Sequence, residues 1–192
     1  MTVLSDRDIK AELAGGGLVL DPMPDAADYQ PASVDVRICL KDGAKRPDPR
    51  GAHEVVIDAD GIRGAHYFHD ACPYGLLLAP GQCALVTTRQ RVEVGAHLAV
   101  EVYGRSSIAR TFLTVHQTAG WCDAGFRGQI TLELRNEGPS SIRIHDGARL
   151  AQLKVVRLSS PAEKPYGSAE LGSHYQGQSG ATPPAQTGEV VK

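Results

Sequence analysis

The chain has 192 residues, 42% of them hydrophobic and 22% charged, which suits one compact domain with an ordinary core and makes a second full domain unexpected. Its 20 Lys and Arg against 22 Asp and Glu give a formal net charge of −2, so there is no electrostatic reason to expect nucleic acid or an anionic membrane as partner. The longest apolar runs, such as Gly75 to Pro80, fall far short of the ~20 residues of a membrane span, and the opening MTVLSDRD is no signal peptide; a soluble, cytoplasmic protein is expected.

In chain order, Ser5-Asp6-Arg7-Asp8 fits a capping box, with Ile9 and Leu13 following at i, i+4, so one short helix is expected to end at Gly15-Gly16-Gly17. From Leu18 to Ser159 the pattern changes to short β-type runs separated by Gly, Pro and Asp turns, as in an all-β sandwich or barrel. The expected strands are 18–21, 33–40, 54–58, 75–79, 83–89, 98–103, 112–116, 128–135, 141–145 and 149–158. Segment 41–53 reads as a polar loop or hairpin tip. Val34 to Ile38 and Ile130 to Leu134 alternate strictly, so one face of each strand is apolar and the other charged. Residues 161–192 are rich in Gly, Ser, Pro and Gln and form a flexible arm with a disordered end, outside a domain that spans 1–160.

Cys39, Cys72, Cys83 and Cys122 lie far apart, with no CxxC pair and no Cys/His cluster at zinc-ligand spacing, so all four read as reduced thiols. The zinc nucleobase deaminase pattern is absent.

The densest stretch runs from Gly104 to Leu134. Taken alone, Gly104-Arg105-Ser106-Ser107 is a turn capping a short helix from Ser107 to Thr111. It also fits a phosphate cradle, with backbone N–H groups, two hydroxyls and a guanidinium all donating to anionic oxygens. Arg105 and Arg110 are five apart, and neither has an obvious acidic neighbour in sequence. Glu133, like Glu101 and Asp35, is by default the exposed member of an alternating strand. Asp123 reads most simply as a turn residue bonding its own backbone, and Trp121 and Phe126 as core aromatics.

Order along the chain changes the weight of these features. Ala32-Ser-Val-Asp-Val-Arg37, Gly104-Arg-Ser-Ser-Ile-Ala-Arg110, Ala119-Gly-Trp-Cys-Asp-Ala-Gly-Phe-Arg-Gly128 and Gly147-Ala-Arg-Leu-Ala-Gln-Leu153, followed by a Gly-rich tail, resemble the five-motif series of the trimeric dUTPase superfamily. Ser5-Asp-Arg-Asp-Ile9, Glu133 within Ile-Thr-Leu-Glu-Leu, and the tail Pro165-Tyr-Gly with Tyr175-Gln-Gly-Gln178 are similar to the dCTP deaminase branch.

That resemblance implies a mainly β subunit, a distorted dUTPase-like β-barrel with one short N-terminal helix, a homotrimer, and interface sites closed by the C-terminal arms. It implies that Glu133 passes protons between an attacking water, ring N3 and departing ammonia, while Ser106, Arg110 and the carbonyl of Ala119 hold the water. His116 to Gly120, including Thr118, resembles a hairpin whose backbone reads the pyrimidine edge. Phe126 matches an aromatic packed on deoxyribose, with Trp121 beside it, and Asp123 would bond the 3′-OH. Arg105, Ser107 and Gln152 match triphosphate contacts from the barrel, and Tyr166, His174 and Gln178 match contacts from the arm. Mg²⁺ would ride mainly on the substrate phosphates, with no zinc.

Two positions depart from the pattern: His174 stands where relatives commonly have Lys, which weakens a phosphate contact and makes it pH-dependent, and Cys122 stands where Ile is usual. His116-Gln-Thr-Ala-Gly-Trp121 looks more like the group that continues from dUTP to dUMP and pyrophosphate, where Asp123 helps to position a second water. A deaminase that stops at dUTP, a dUTPase without deamination, and a non-catalytic nucleotide-sensing trimer remain as alternatives. The implied partners are dCTP, dUTP and, as feedback inhibitor, dTTP.

Overall fold

The computed structural model of the chain describes residues 2–50, 55–58, 61–70 and 75–186. In order its elements are β1 (Thr2–Val3), α1 (Asp6–Gly15), β2 (Leu18–Asp21), β3 (Tyr29–Gln30), β4 (Ser33–Cys39), β5 (Ala44–Pro47), β6 (Val56–Asp58), β7 (Gly61–Arg63), β8 (Tyr67–Asp70), β9 (Leu76–Leu78) and β10 (Cys83–Val94). There follow β11 (Leu98–Gly104), α2 (Ser106–Ala109), β12 (Leu113–Thr114), β13 (Trp121–Cys122), β14 (Arg127–Asn136), β15 (Ile142–Ile144) and β16 (Arg149–Arg157). Twelve strands form one curled sheet along the path β12-β14-β10-β4-β16-β11-β13, with the remaining members hung from β4, β5, β10 and β16. This curled half-barrel is mainly β, as the short strands and turn spacing imply.

Helix α1 forms where the capping box places it. The Ser5 hydroxyl accepts from the Asp8 N–H at 3.4 Å, and Gly16 takes φ of 74° at the C-cap, a left-handed turn that glycine adopts without penalty. An N-cap of this kind contributes about 1 kcal/mol. Strands β4 and β14 bury Val34, Val36 and Ile38, and Ile130, Leu132 and Leu134, in the common core. Each such side chain contributes on the order of 1.5–3 kcal/mol by leaving water.

Several boundaries differ from the sequence expectation, each for a local reason. Strand β10 runs past Arg89 to Val94, because Gln90, Val92 and Val94 continue the buried alternation beyond a bulge between Thr87 and Arg91. There the Thr88 hydroxyl accepts from Ile130 N–H at 2.9 Å and donates to Gln90 O at 2.8 Å, so side chain replaces ladder. Within the segment read as a polar loop or hairpin tip, Ala44–Pro47 is a strand paired with β8 and, at Lys45, with Leu85 of β10. The second helix starts at Ser106 instead of Ser107, with Arg105 at the N-cap and no side-chain cap; Phe112, at φ of 63°, turns the chain out of it. Cys39, Cys83 and Cys122 are free thiols, while Cys72, the start of the strand expected at 54–58 and the end of the arm from 187 onward lie outside the described residues.

The arm lies along its own chain's β14. Gly177 N–H donates to Arg127 O at 2.7 Å, Gln129 N–H donates to Gln178 O at 3.0 Å, and Tyr166 N–H donates to Ala124 O at 2.7 Å. Ala181 is 3% exposed, so part of this polar tail is packed.

Candidate active site

Strand β14 presents Gln129, Thr131 and Glu133 on the face opposite its core residues, since side chains alternate at a period of two. Opposite them on β10, Thr87 pairs with Thr131 and Leu85 with Glu133. Above this patch lies a cavity of about 540 Å³. Its floor is Ile130, Thr131 and Glu133, one wall is the segment from Ala119 to Phe126, and the roof comes from the arm.

Glu133 is half-buried. Its Oε2 accepts from the Gln117 backbone N–H at 3.2 Å, while the Gln117 amide donates to Glu133 O at 3.2 Å and Thr114 Oγ1 at 3.1 Å. Burial pushes the Glu133 carboxyl above its ordinary value, against the lowering pull of the Gln117 N–H and of His116. Burial therefore favours the protonated form of this carboxyl more than water does. Glu133 also lines a second cavity of about 240 Å³, with Cys83, Gln117 and Arg135.

Strand β13 pairs with β11 through Cys122 and Val100, and Trp121 and Glu101, which brings the hairpin to the cavity. Trp121 Nε1–H donates to Asp123 Oδ1 at 2.9 Å, so Asp123 is held by a side chain instead of its own backbone. Beside them Phe126 is 6% exposed and packs on Tyr166 of the arm at 5.9 Å between ring centroids. The Cys122 thiol is pushed up to about 12 by burial, so it behaves as a small apolar group.

The arm is clamped by Gln129, a strand residue with no local signal of that role. Its Oε1 accepts from Gly180 N–H at 2.8 Å and its Nε2 donates to Thr88 O and Asp42. Gln178 Nε2–H in turn donates to Gln129 O at 2.7 Å. Tyr166 OH accepts from Tyr175 N–H at 3.0 Å, and Tyr175 OH accepts from Ala185 N–H at 3.0 Å, so the arm carries its own bracing.

The structure thus brings Ala119, Trp121, Asp123, Phe126, Glu133, Tyr166 and Gln178 to one cavity. Tyr67, Thr131, Tyr175 and Thr182 also line it; Tyr175 stands in the tail motif, while none of the four was assigned a contact in the site. Thr131 was signalled by its i, i+2 spacing from Glu133; Tyr67 arrives through the β5–β8 pairing, which leaves no mark in local sequence. His116 lies beside the cavity, its ring edge-on to Tyr103 at 6.3 Å and against Gly120, while Thr118 is exposed. His174 is exposed and stacks edge-on with Tyr175.

Arg105, Ser106, Ser107, Arg110 and Gln152 do not line this cavity. Ser106, Ser107 and Arg110 are exposed on or next to α2 at the end of β11. Gln152 is engaged at both ends of its amide, with Oε1 accepting from Ser33 at 2.8 Å and Nε2 donating to Gly104 O at 3.2 Å. Arg105 has the acidic neighbour that the sequence concealed: its Nε lies 2.9 Å from Asp35 Oδ2 on β4. One chain therefore carries two half-sites, a carboxylate-bearing cavity and a cationic, hydroxyl-rich surface. Among the described residues no group of three or more His, Cys, Asp or Glu is arranged to hold a metal ion, and no helix is long and apolar enough to cross a membrane.

A family model described as dCTP deaminase-like matches residues 3–158. The dCTP deaminase of Natronomonas pharaonis is 39% identical over 192 residues, covering 93% of this chain and 91% of its own. The dUMP-forming dCTP deaminase of Acidothermus cellulolyticus is 40% identical over 187 residues, covering 94% and 93%. The crystal structure of 2′-deoxycytidine 5′-triphosphate deaminase from Agrobacterium tumefaciens is similar in fold, with a TM-score of 0.56 at 24% identity; the match covers 80% of this chain and spans 46% of that one.

Proposed function

We propose, because the chain belongs to the dCTP deaminase-like family, that it hydrolyses dCTP to dUTP and ammonia and carries the product on to dUMP and pyrophosphate. The observation that carries the first reaction is Glu133, a half-buried carboxylate with a raised pKa on the floor of a cavity large enough for a nucleoside.

In this reading cytosine enters the cavity with C4 near Glu133. Glu133 takes a proton from water as its oxygen bonds to C4 and delivers that proton to N3; it then takes the proton of the new C4 hydroxyl and supplies it to the exocyclic nitrogen as the C4–N bond breaks and C4=O forms. Ammonia leaves and the ring becomes uracil. Ser106, Arg110 and the carbonyl of Ala119 hold the water. Phe126 packs on the deoxyribose, and its buried ring leaves no space for a 2′-hydroxyl. Arg105, Ser107, Tyr166, His174 and Gln178 contact the triphosphate, with Gln152 bracing the Gly104 turn.

The separation of the two half-sites in one chain supports a homotrimer in which the α2 surface of one copy completes the cavity of another. The exposed side chains of Ser106, Ser107 and Arg110 suit that role. Residues 161–192 then act as a closing arm on a domain that spans 1–160. The nucleotide would arrive as its Mg²⁺ complex, the ion held mainly by substrate phosphates and water. Bound there, Mg²⁺ would neutralise phosphate charge. For the second reaction, the Asp123 carboxylate fixed by Trp121 orients a water toward the α-phosphorus; the P–O bond to the β-phosphate breaks and pyrophosphate leaves. dTTP, lacking an amino group to lose, acts as a competing ligand.

Product analysis tests this reading. Purified protein with dCTP and Mg²⁺ should release equal amounts of ammonia, dUMP and pyrophosphate with little free dUTP. Absence of ammonia overturns deamination, and accumulation of dUTP overturns the coupled second step.

A further inference from the structure

We propose that Asp35 is a positioning residue, whose buried carboxylate fixes the Arg105 guanidinium so that its remaining donors meet the nucleotide phosphates. This rests on the assignment of Arg105 to the triphosphate made above.

The argument begins with register. Asp35 on β4 pairs with Gln152 on β16, and Gln152 pairs with Tyr103 on β11, so the three lie in one cross-strand row. Arg105 follows Tyr103 by two residues as β11 ends. Its backbone N–H donates to Leu150 O at 3.1 Å, which brings the side chain back over the row. Ser33 and Gly104 hold the Gln152 amide from either end, so the platform beneath Arg105 is itself braced.

Asp35 is 1% exposed, although alternation alone makes it a water-facing residue. What covers it is cationic. Arg105 Nε stands 2.9 Å from Asp35 Oδ2, and Arg105 Nη1 donates to Arg149 O at 3.4 Å. The Nε–H is not aligned on the carboxylate oxygen, so the contact is an ion pair rather than a hydrogen bond. The two inward contacts hold the planar group at two of its nitrogens, Nε and Nη1, and the side chain remains 29% exposed. A guanidinium anchored at two nitrogens presents its remaining donors in a fixed direction, which a freely rotating side chain does not.

The neighbouring charges are otherwise committed. Arg149 is 3.9 Å from Asp35 but donates to Asp28 Oδ1 at 3.2 Å and Ala27 O at 3.3 Å. Arg37 donates to Asp28 and to Asp25. Asp28, itself 1% exposed, thus occupies two arginines, and Asp35 is left to the third. A buried carboxylate without an aligned donor is costly to stability, so its position under Arg105 is better explained by the supporting role than by folding.

The test is a double-variant cycle read on dCTP and on inorganic tripolyphosphate, both by calorimetric binding and by steady-state kinetics. Arg105→Gln should raise the KM for dCTP and the Kd of tripolyphosphate by about tenfold or more. Asp35→Asn, nearly isosteric, should raise both by roughly tenfold with a much smaller change in kcat. The double variant should bind no worse than Arg105→Gln alone. If Asp35→Asn is poorly folded, Asp35→Glu, which keeps the charge but shifts it by one methylene, should show an intermediate loss of tripolyphosphate affinity. Unchanged binding in Arg105→Gln overturns the phosphate assignment and the inference with it. Weakened binding in Arg105→Gln but not in the Asp35 variants, or full additivity in the double variant, overturns the inference alone. Failure of the unaltered protein to release ammonia leaves both binding measurements intact as tests.

Discussion

The Gln117 backbone N–H donates to Glu133 Oε2 at 3.2 Å, so the hairpin facing the cavity also holds the carboxylate on its floor. A short-range turn and a strand residue 16 positions later form one unit. The Gln117 side chain doubles the tie by donating to Glu133 O. Any change in Glu133 is therefore expected to be felt in chemistry and in the hairpin's stability together.

Glu133→Gln should abolish ammonia release while leaving dCTP binding within severalfold of the unaltered protein. Ammonia assay and calorimetry check the two parts, and retained turnover removes Glu133 from the reaction. The same substitution should stabilise the empty protein at neutral pH. Because burial raises the folded pKa of Glu133 above its unfolded value, its contribution to stability is fully present below the unfolded pKa. It is lost as pH rises through the folded pKa, where the half-buried group must ionise. The Tm difference between variant and unaltered protein should thus appear at neutral pH and vanish at acid pH.

The pH dependence of catalysis follows from the same group. The ionised form must accept a proton from water, so kcat/KM should fall on the acid side with an apparent pKa above the ordinary ~4.3 of glutamate. The limb should move lower when burial is relieved, for example in Phe126→Ala, which opens the cavity wall. A limb at or below the ordinary value in the unaltered enzyme contradicts the geometry.

Trp121→Phe keeps the aromatic surface but removes the Nε1–H that holds Asp123. If Asp123 orients the second water, dUMP formation should fall by about tenfold or more, ammonia release should fall less, and free dUTP should accumulate. Chromatography of the nucleotide products checks this. Equal loss of both reactions would assign the pair to nucleotide binding instead.

What the sequence disclosed and concealed follows from the range of the interactions. Ser5 and Gly16 announce α1 because caps are local, and Glu133 and Thr131 announce one face of β14 because a strand has a period of two. The ordered motifs marked most of the cavity wall. Asp35 beneath Arg105 was hidden, since its partner is 70 positions away and appears only when β4, β16 and β11 lie side by side. Tyr67 was hidden for the same reason, and Gln129 looked like an ordinary polar strand residue until the arm lay across it. The arm's composition suggested mobility, yet Gln129, Tyr166 and Tyr175 hold it by contacts that its composition does not reveal.

The seating of that arm gives the last prediction. Gly128, at φ of 149°, lies where an added Cβ would stand 2.9 Å from Gln178 O and 3.0 Å from Gln178 N. Both obstacles are backbone, so a side chain at this position cannot be accommodated by a rotamer change. Gly128→Ala also demands a conformation that L-residues rarely adopt, with a cost of order 1–3 kcal/mol. The strand is held from the other side by the β10 pairing at Val92, so relief should come from displacement of the arm around Gln178. Limited proteolysis should then cut between residues 161 and 186 much faster than in the unaltered protein. The KM for dCTP should rise by about tenfold, as the cavity loses Gln178, Tyr175 and Thr182 from its roof. An unchanged cleavage rate combined with an unchanged KM would mean that closure of the cavity does not depend on this crossing.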